Sequence, residues 1–206
     1  SAANGLLHEA AHDALSDVRA TIALARLIRT AQPRLWDFCL GLRKKDAVLR
    51  EIDPANPRPC LHISGMFPAE RGCLAIVWPL AAHPVNKNEI IVWDLAFDPD
   101  ELRTLDAETI RLRMFTRAEE LPEGVSRLPI KTLHINKSPS VIGNLKTLSP
   151  AMAEQWGIDL ATALAHATRA QTLPPLTSVW AEVFRRPPAA GSIDVDEDLY
   201  GGFVGT

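Results

Sequence analysis

Apolar residues recur along this chain first at helical spacing and then at strand spacing. In residues 12–30 the positions Leu15, Val18, Ile22, Ala25, Leu27 and Ile28 follow one another at helical intervals, with Arg19, Arg26 and Arg29 off that stripe. Residues three and four apart share one face of a helix, so this spacing predicts an amphipathic helix. Pro33 ends it, because proline lacks the amide donor and clashes with the turn before it. A second helical stretch is expected over residues 35–52, with Trp36, Leu40, Ala47 and Leu49 as packing positions. The proline-rich run Asp53-Pro54-Ala55-Asn56-Pro57-Arg58-Pro59 closes it.

The period then changes. Leu61-His62-Ile63, Leu74-Ala75-Ile76-Val77-Trp78 and Ile90-Ile91-Val92-Trp93-Asp94-Leu95 are short, rich in β-branched and aromatic residues, and separated by turn formers such as Ser64-Gly65 and Asn86-Lys87-Asn88. They predict a meander of strands. The charged residues 99–117 read as one or two helices inserted between strands, and residues 130–135 as a later strand. Helical periodicity returns over residues 150–170 and 175–184, before Pro187-Pro188-Ala189-Ala190-Gly191 and the acidic run Asp194-Val195-Asp196-Glu197-Asp198. The expected fold class is α+β: a helical lead-in, a small β-rich domain with inserted helices, and the beginning of a further segment.

Composition narrows the function classes. With 47% hydrophobic and 23% charged residues among 206, the chain is long enough to bury one or two cores. No apolar run approaches the ~20 residues that span a bilayer, and the start lacks a secretion signal, so a cytoplasmic location and no membrane partner are expected. Cys39, Cys60 and Cys73 are odd in number without C-x-x-C spacing, which predicts reduced thiols in or near a core. The net charge of -3 argues against a protein coated with base, but leaves room for a local basic groove.

One segment carries chemistry. His12-Asp13-Ala14-Leu15-Ser16-Asp17 has the form H-x-A-x-x-D at the entry of the first helix. A histidine there can take a proton from water, and the carboxylate of Asp17 can hold a hard divalent ion, a division of labour that suits metal-assisted phosphodiester hydrolysis. Alone, such a pair is more often a helix cap and a solvated face than an active site. Its neighbours decide between the readings. Asn4-Gly5 upstream and Ala20-Thr21 downstream complete a pattern that resembles the third motif of the DEDDh exonucleases as found in bacterial exonuclease I. Gln32-Pro33-Arg34-Leu35, His62-Ile63-Ser64-Gly65-Met66-Phe67, Pro79-Leu80-Ala81, His83-Pro84, His134-Ile135-Asn136-Lys137 and Leu199-Tyr200 resemble further segments of that family in the same order.

The resemblance implies more than the residues do. It implies that residues 1–31 are the C-terminal end of an RNase H-like exonuclease domain, that 32–186 form an SH3-like β-barrel domain with inserted helices, and that 187–206 are a linker and the start of a C-terminal helical domain. It implies an exodeoxyribonuclease that degrades single-stranded DNA from the 3′ end with two Mg²⁺ ions, Mn²⁺ being possible, in DNA repair and recombination. His12 would be the general base and Asp17 the last acidic metal ligand. The Asp-x-Glu of the first motif and the Asp of the second have no counterpart in these residues, so the chain by itself is expected to be inactive.

Binding roles follow from the same comparison. Arg58, Arg71 and Lys137, with Phe67 as a stacking ring and Arg43-Lys44-Lys45 nearby, are expected to contact single-stranded DNA, since single-strand channels pair basic groups with aromatic faces. Phe38, Arg58 and Asn144 would receive the C-terminal tail of the single-strand DNA-binding protein, although Ser149 stands where the family carries an arginine. The complete protein would be a monomer. The alternatives are a catalytically dead binding module on the SH3-like platform, and an unrelated β-barrel that holds H-x-A-x-x-D by chance.

Overall fold

A computed structural model describes residues 14–185. Its elements are α1 (Ala14–Ala31), α2 (Pro33–Gly41), α3 (Lys45–Ile52), β1 (Cys60–Ile63), β2 (Leu74–Ala82), β3 (Glu89–Asp94), α4 (Ala107–Phe115), β4 (Ile130–His134), β5 (Ser140–Ile142), α5 (Pro150–Gln155), α6 (Leu160–Gln171) and α7 (Thr177–Val183). The strands form one antiparallel sheet in the order β4-β3-β2-β1-β5.

Both faces of that sheet are covered, and the strands show why. Successive side chains of a strand point to opposite faces, so apolar residues at both parities require two partners. Leu61, Leu74, Ile76, Trp78, Ile91, Trp93 and Ile130 turn to one core, closed by Ile110 and Met114 of α4, Ala163, Ala167 and Ala170 of α6, and Trp180 and Val183 of α7. Cys60, Ala75, Val77, Ile90, Val92, Leu133 and Val141 turn to the other, closed by Leu42, Phe67, and Val48 and Ile52 of α3. A register shift between Pro79 and Ala81 bends β2 where proline cannot donate to the ladder.

Side chains fix the helix ends. Asp106, Ser149 and Asp159 accept hydrogen bonds from the backbone N–H groups of Thr109, Met152 and Thr162 at 2.8, 3.3 and 2.9 Å, capping α4, α5 and α6. Arg103 donates to the Thr172 carbonyl at 2.9 Å at the end of α6, and Arg111 donates to the Val183 carbonyl at the end of α7.

Two expectations are corrected. The stretch 35–52 is not one helix: it breaks at Gly41 into α2 and α3, and the turn between them carries Leu42 down to 3% exposure in the second core. A continuous helix would have left that leucine on a different bearing from Val48 and Ile52. The strand β5 was not expected, because only Val141 of its three residues is buried and no alternation shows in so short a run. Of the thiols, Cys60 is buried and Cys73 half-buried, whereas Cys39 is exposed on α2.

A glycine holds β5 in place. A Cβ built on Gly143 would lie 2.5 Å from the backbone oxygen of Glu51, and the Gly143 N–H donates to the Glu51 carboxylate at 2.7 Å. Replacing Gly143 with alanine must push α3 off the sheet. The expected loss is about 2 kcal/mol, within the range for overpacked sites, read as a lower urea midpoint with an unchanged slope.

Candidate single-strand interface

Asp17 sits in the first turn of α1, exposed, and the Thr21 hydroxyl donates to its backbone carbonyl at 2.8 Å. His12 lies outside the described residues. No residue of α1 is buried; Leu15 and Val18 are 56% and 55% exposed, and Ile22, Leu27 and Ile28 lie open along the same helix. An amphipathic helix that buries nothing presents a surface shaped for another body. Among the described residues no group of three or more His, Cys, Asp or Glu side chains is arranged to hold a metal ion. The residues therefore do not fit two divalent ions: a single carboxylate cannot position a pair of them.

Arg71 ends a 3-10 turn, Ala69–Arg71, and is followed by Gly72 in the left-handed region at φ 63°. A Cβ there would also press on the Trp156 ring at 3.0 Å, so only glycine suits the position. The turn aims the guanidinium at Asp94: Nη2 lies 2.8 Å from Oδ2 and Nη1 3.5 Å from Oδ1. Asp94 is only 4% exposed and accepts the Ala96 N–H at 3.0 Å as well. The pair borders a cavity of about 290 Å³ that also meets Ile158, Asp159 and Thr162. Arg71 is thus tied into the fold, with one side on this cavity.

Phe67 is 5% exposed, its ring edge-on to His62 at 5.5 Å between centroids. A base cannot reach a face of that ring as it stands; Phe67 packs the second core. Trp93 and Trp78 are likewise buried. The neighbouring His62 is 7% exposed, and its Nδ1–H donates to the Ser140 carbonyl at 3.1 Å, joining β1 to β5. Burial holds this imidazole below its ordinary range, and the Ser140 bond opposes that only in part. Burial likewise pushes the Cys60 thiol up to about 12, with Glu51 adding to the rise and Arg58 lowering it, so this thiol stays protonated and unreactive.

The His62 shift fixes a sign. The unfolded chain takes up a proton near the ordinary histidine range, about 6.5, while the folded chain resists it to lower pH. The stability due to neutral His62 is complete above the unfolded value and declines as pH falls through it toward the folded value. Urea midpoints measured from pH 8 to pH 5 are expected to drop more in the parent than in His62→Gln.

Arg58 is exposed beside Pro57, which lines a cleft of about 530 Å³ with Trp78, Pro79, Leu173 and Pro174. Phe38 is half-buried against the second core. Asn144 is exposed, its side chain accepting the Lys146 N–H at 3.1 Å, and Ser149 caps α5. Lys137 is exposed on the β4–β5 turn, where the Ile135 N–H donates to the Asn88 carbonyl at 2.9 Å. The Asn88 side chain in turn accepts from Lys45. The fold therefore brings Lys45 and the end of the strand that leads to Lys137 to Asn88, whereas Arg71 is tied to Asp94 and Phe67 is packed in the second core.

The sequence profile of the exonuclease I SH3-like domain matches residues 43–186. The chain belongs to the exonuclease I family. Exodeoxyribonuclease I of Escherichia coli is 40% identical over 202 residues, covering 98% of this chain and 42% of that protein. The crystal structure of E. coli exonuclease I in complex with a dA16 oligonucleotide superposes with a TM-score of 0.86 at 40% identity, over 99% of this chain and 43% of that one. The zinc-bound form of the E. coli complex with single-stranded DNA superposes at 0.85 and 39% identity, with the same coverage. The chain thus spans less than half the length of the exonuclease I relatives it matches, and its two-faced sheet with α4, α6 and α7 lies within the SH3-like match.

Proposed function

We propose that this chain is the part of a cytoplasmic exodeoxyribonuclease I that grips single-stranded DNA, and that the complete enzyme removes nucleotides in the 3′-to-5′ direction during DNA repair. The observation that carries this reading is the 40% identity extending over 98% of the chain, beyond the SH3-like match and into α1. Residues 1–31 then end the exonuclease domain, and 187–206 lead to a helical domain.

Within that enzyme His12 would accept the proton of the attacking water and Asp17 would hold divalent metal, Mg²⁺ or Mn²⁺, with carboxylates from the rest of the exonuclease domain. The open apolar stripe of α1 is where that domain would pack. Arg58, Phe38 and Asn144 would receive the tail of the single-strand DNA-binding protein. Ser149 is engaged as a helix cap and supplies no charge to that acidic tail, so its binding rests on Arg58.

The test is a 5′-labelled single strand with Mg²⁺. The chain alone is expected to retard the strand without shortening it. Joined behind the part of the E. coli relative's exonuclease domain that precedes the matched region, it should support shortening from the 3′ end, which His12→Ala or Asp17→Ala abolishes. Shortening that survives both substitutions would contradict the assignment of those residues.

A further inference from the structure

The cavity that Arg71 and Asp94 border opens where β3 gives way to the loop after it. Ala96 on that loop, and Gly157 and Asp159 ahead of α6, line it and are exposed, so its mouth lies between them. Ile76 and Ala163, both buried, are apolar walls. Its volume of about 290 Å³ is at the small end of ligand-binding clefts and takes one planar heterocycle.

The polar groups differ in what they still have to offer. Asp94 accepts from both Nη atoms of Arg71 and from the Ala96 N–H. A guanidinium carries five N–H groups, so Arg71 keeps donors beyond the two turned to Asp94. Oδ1 of Asp159 accepts the Thr162 N–H at 2.9 Å and Oδ2 accepts the Thr162 hydroxyl at 2.7 Å. Each oxygen of that carboxylate thus retains a lone pair. The Thr162 amide, and after it the hydroxyl, holds the Asp159 carboxyl below the usual carboxylate range, so it is ionised at neutral pH. Arg71 and Asp94 cancel in charge, and Asp159 leaves the cavity negative. Phosphate is disfavoured there; a neutral group that donates to a carboxylate and accepts from a guanidinium is favoured.

Guanine is the DNA base with that layout. Its N1–H and N2–H lie side by side for a carboxylate, with O6 next to them for a guanidinium. Adenine and cytosine would turn an unprotonated ring nitrogen to the carboxylate, and thymine offers one N–H between two carbonyls. We propose that this cavity takes a guanine base of the bound single strand, with Asp159 on the N1–H and N2–H donors and Arg71 on O6. This rests on the single-strand reading above and deepens it by giving the strand one base-selective position.

The test is fluorescence anisotropy of the whole chain with labelled oligothymidylates in which guanosine replaces one thymidine at each position in turn. A bidentate contact to a base discriminates by roughly tenfold, so the best-placed guanosine should raise affinity by about that factor over plain oligothymidylate. Adenosine or cytidine at the same position should not. D159N keeps an oxygen for the α6 cap but sets amide N–H groups against the donors of guanine, and A96F closes the mouth from an exposed position. With plain oligothymidylate as the reference for each variant, both should lose the guanosine advantage. Equal affinity of the parent for all the substituted strands, or an advantage that survives in either variant, overturns the base site and leaves the single-strand reading standing. Absence of oligothymidylate binding by the parent chain overturns both.

Discussion

Trp93→Ala is expected to lower the unfolding free energy by about 4 kcal/mol, the scale on which large aromatic truncations destabilise a core. Trp93 has no exposed surface, lies one residue before the end of β3 between Trp78 on β2 and Ile130 on β4, and donates its indole N–H to the Phe97 carbonyl at 2.9 Å. The substitution removes the contacts of the whole ring from the helical face of the sheet and leaves the Phe97 carbonyl without its indole donor, so two losses add. Trp93→Phe separates them: it keeps most of the ring and loses the hydrogen bond, and should cost well under half as much. Urea unfolding measures both. A loss under about 1 kcal/mol for the alanine variant would show that α4, α6 and α7 do not close on this face.

Arg71→Ala should cost about 3 kcal/mol, because it strands the Asp94 carboxylate in a site where that group is 4% exposed. The figure stands at the lower end for broken buried pairs, since the Arg71 side chain is 21% exposed and water can partly replace it. Asp94→Asn added to Arg71→Ala should recover much of the loss, because the neutral amide still accepts the Ala96 N–H and leaves no charge uncompensated. Such a cycle assigns Arg71 to holding the 3-10 turn against β3. If Arg71→Ala instead left the urea midpoint alone and lowered affinity for an oligothymidylate, the arginine would belong to the DNA-binding surface.

Particular residues show how far the sequence could be read. The strands β2 and β3 were legible from the β-branched and aromatic runs Leu74-Ala75-Ile76-Val77-Trp78 and Ile90-Ile91-Val92-Trp93, and the structure adds that their apolar residues are covered on both faces. The first helix was legible from its stripe, and the structure leaves that stripe open. The break at Gly41 was not, because periodicity continues across it and only the burial of Leu42 reveals the turn. The position of Phe67 was hidden for a related reason. An aromatic beside turn residues fits a stacking platform and a core equally in sequence, and the return of the chain over β1 decides for the core. Arg71 reads in sequence as a candidate DNA-contacting base, and its pairing with Asp94 is hidden because a separation of 23 residues gives no local sign of it. The meeting of Lys45 with Asn88 across 43 residues was equally invisible before the strand register was known.

The role proposed for this chain is a grip on single-stranded DNA within a larger exonuclease. Anisotropy of a labelled oligothymidylate and of a duplex of equal length, followed in the same Mg²⁺-containing samples by analysis of the strands for shortening, tests that most directly. The account predicts preferential binding of the single strand with its length intact. Equal binding of the duplex, or release of mononucleotides by this chain alone, would contradict it.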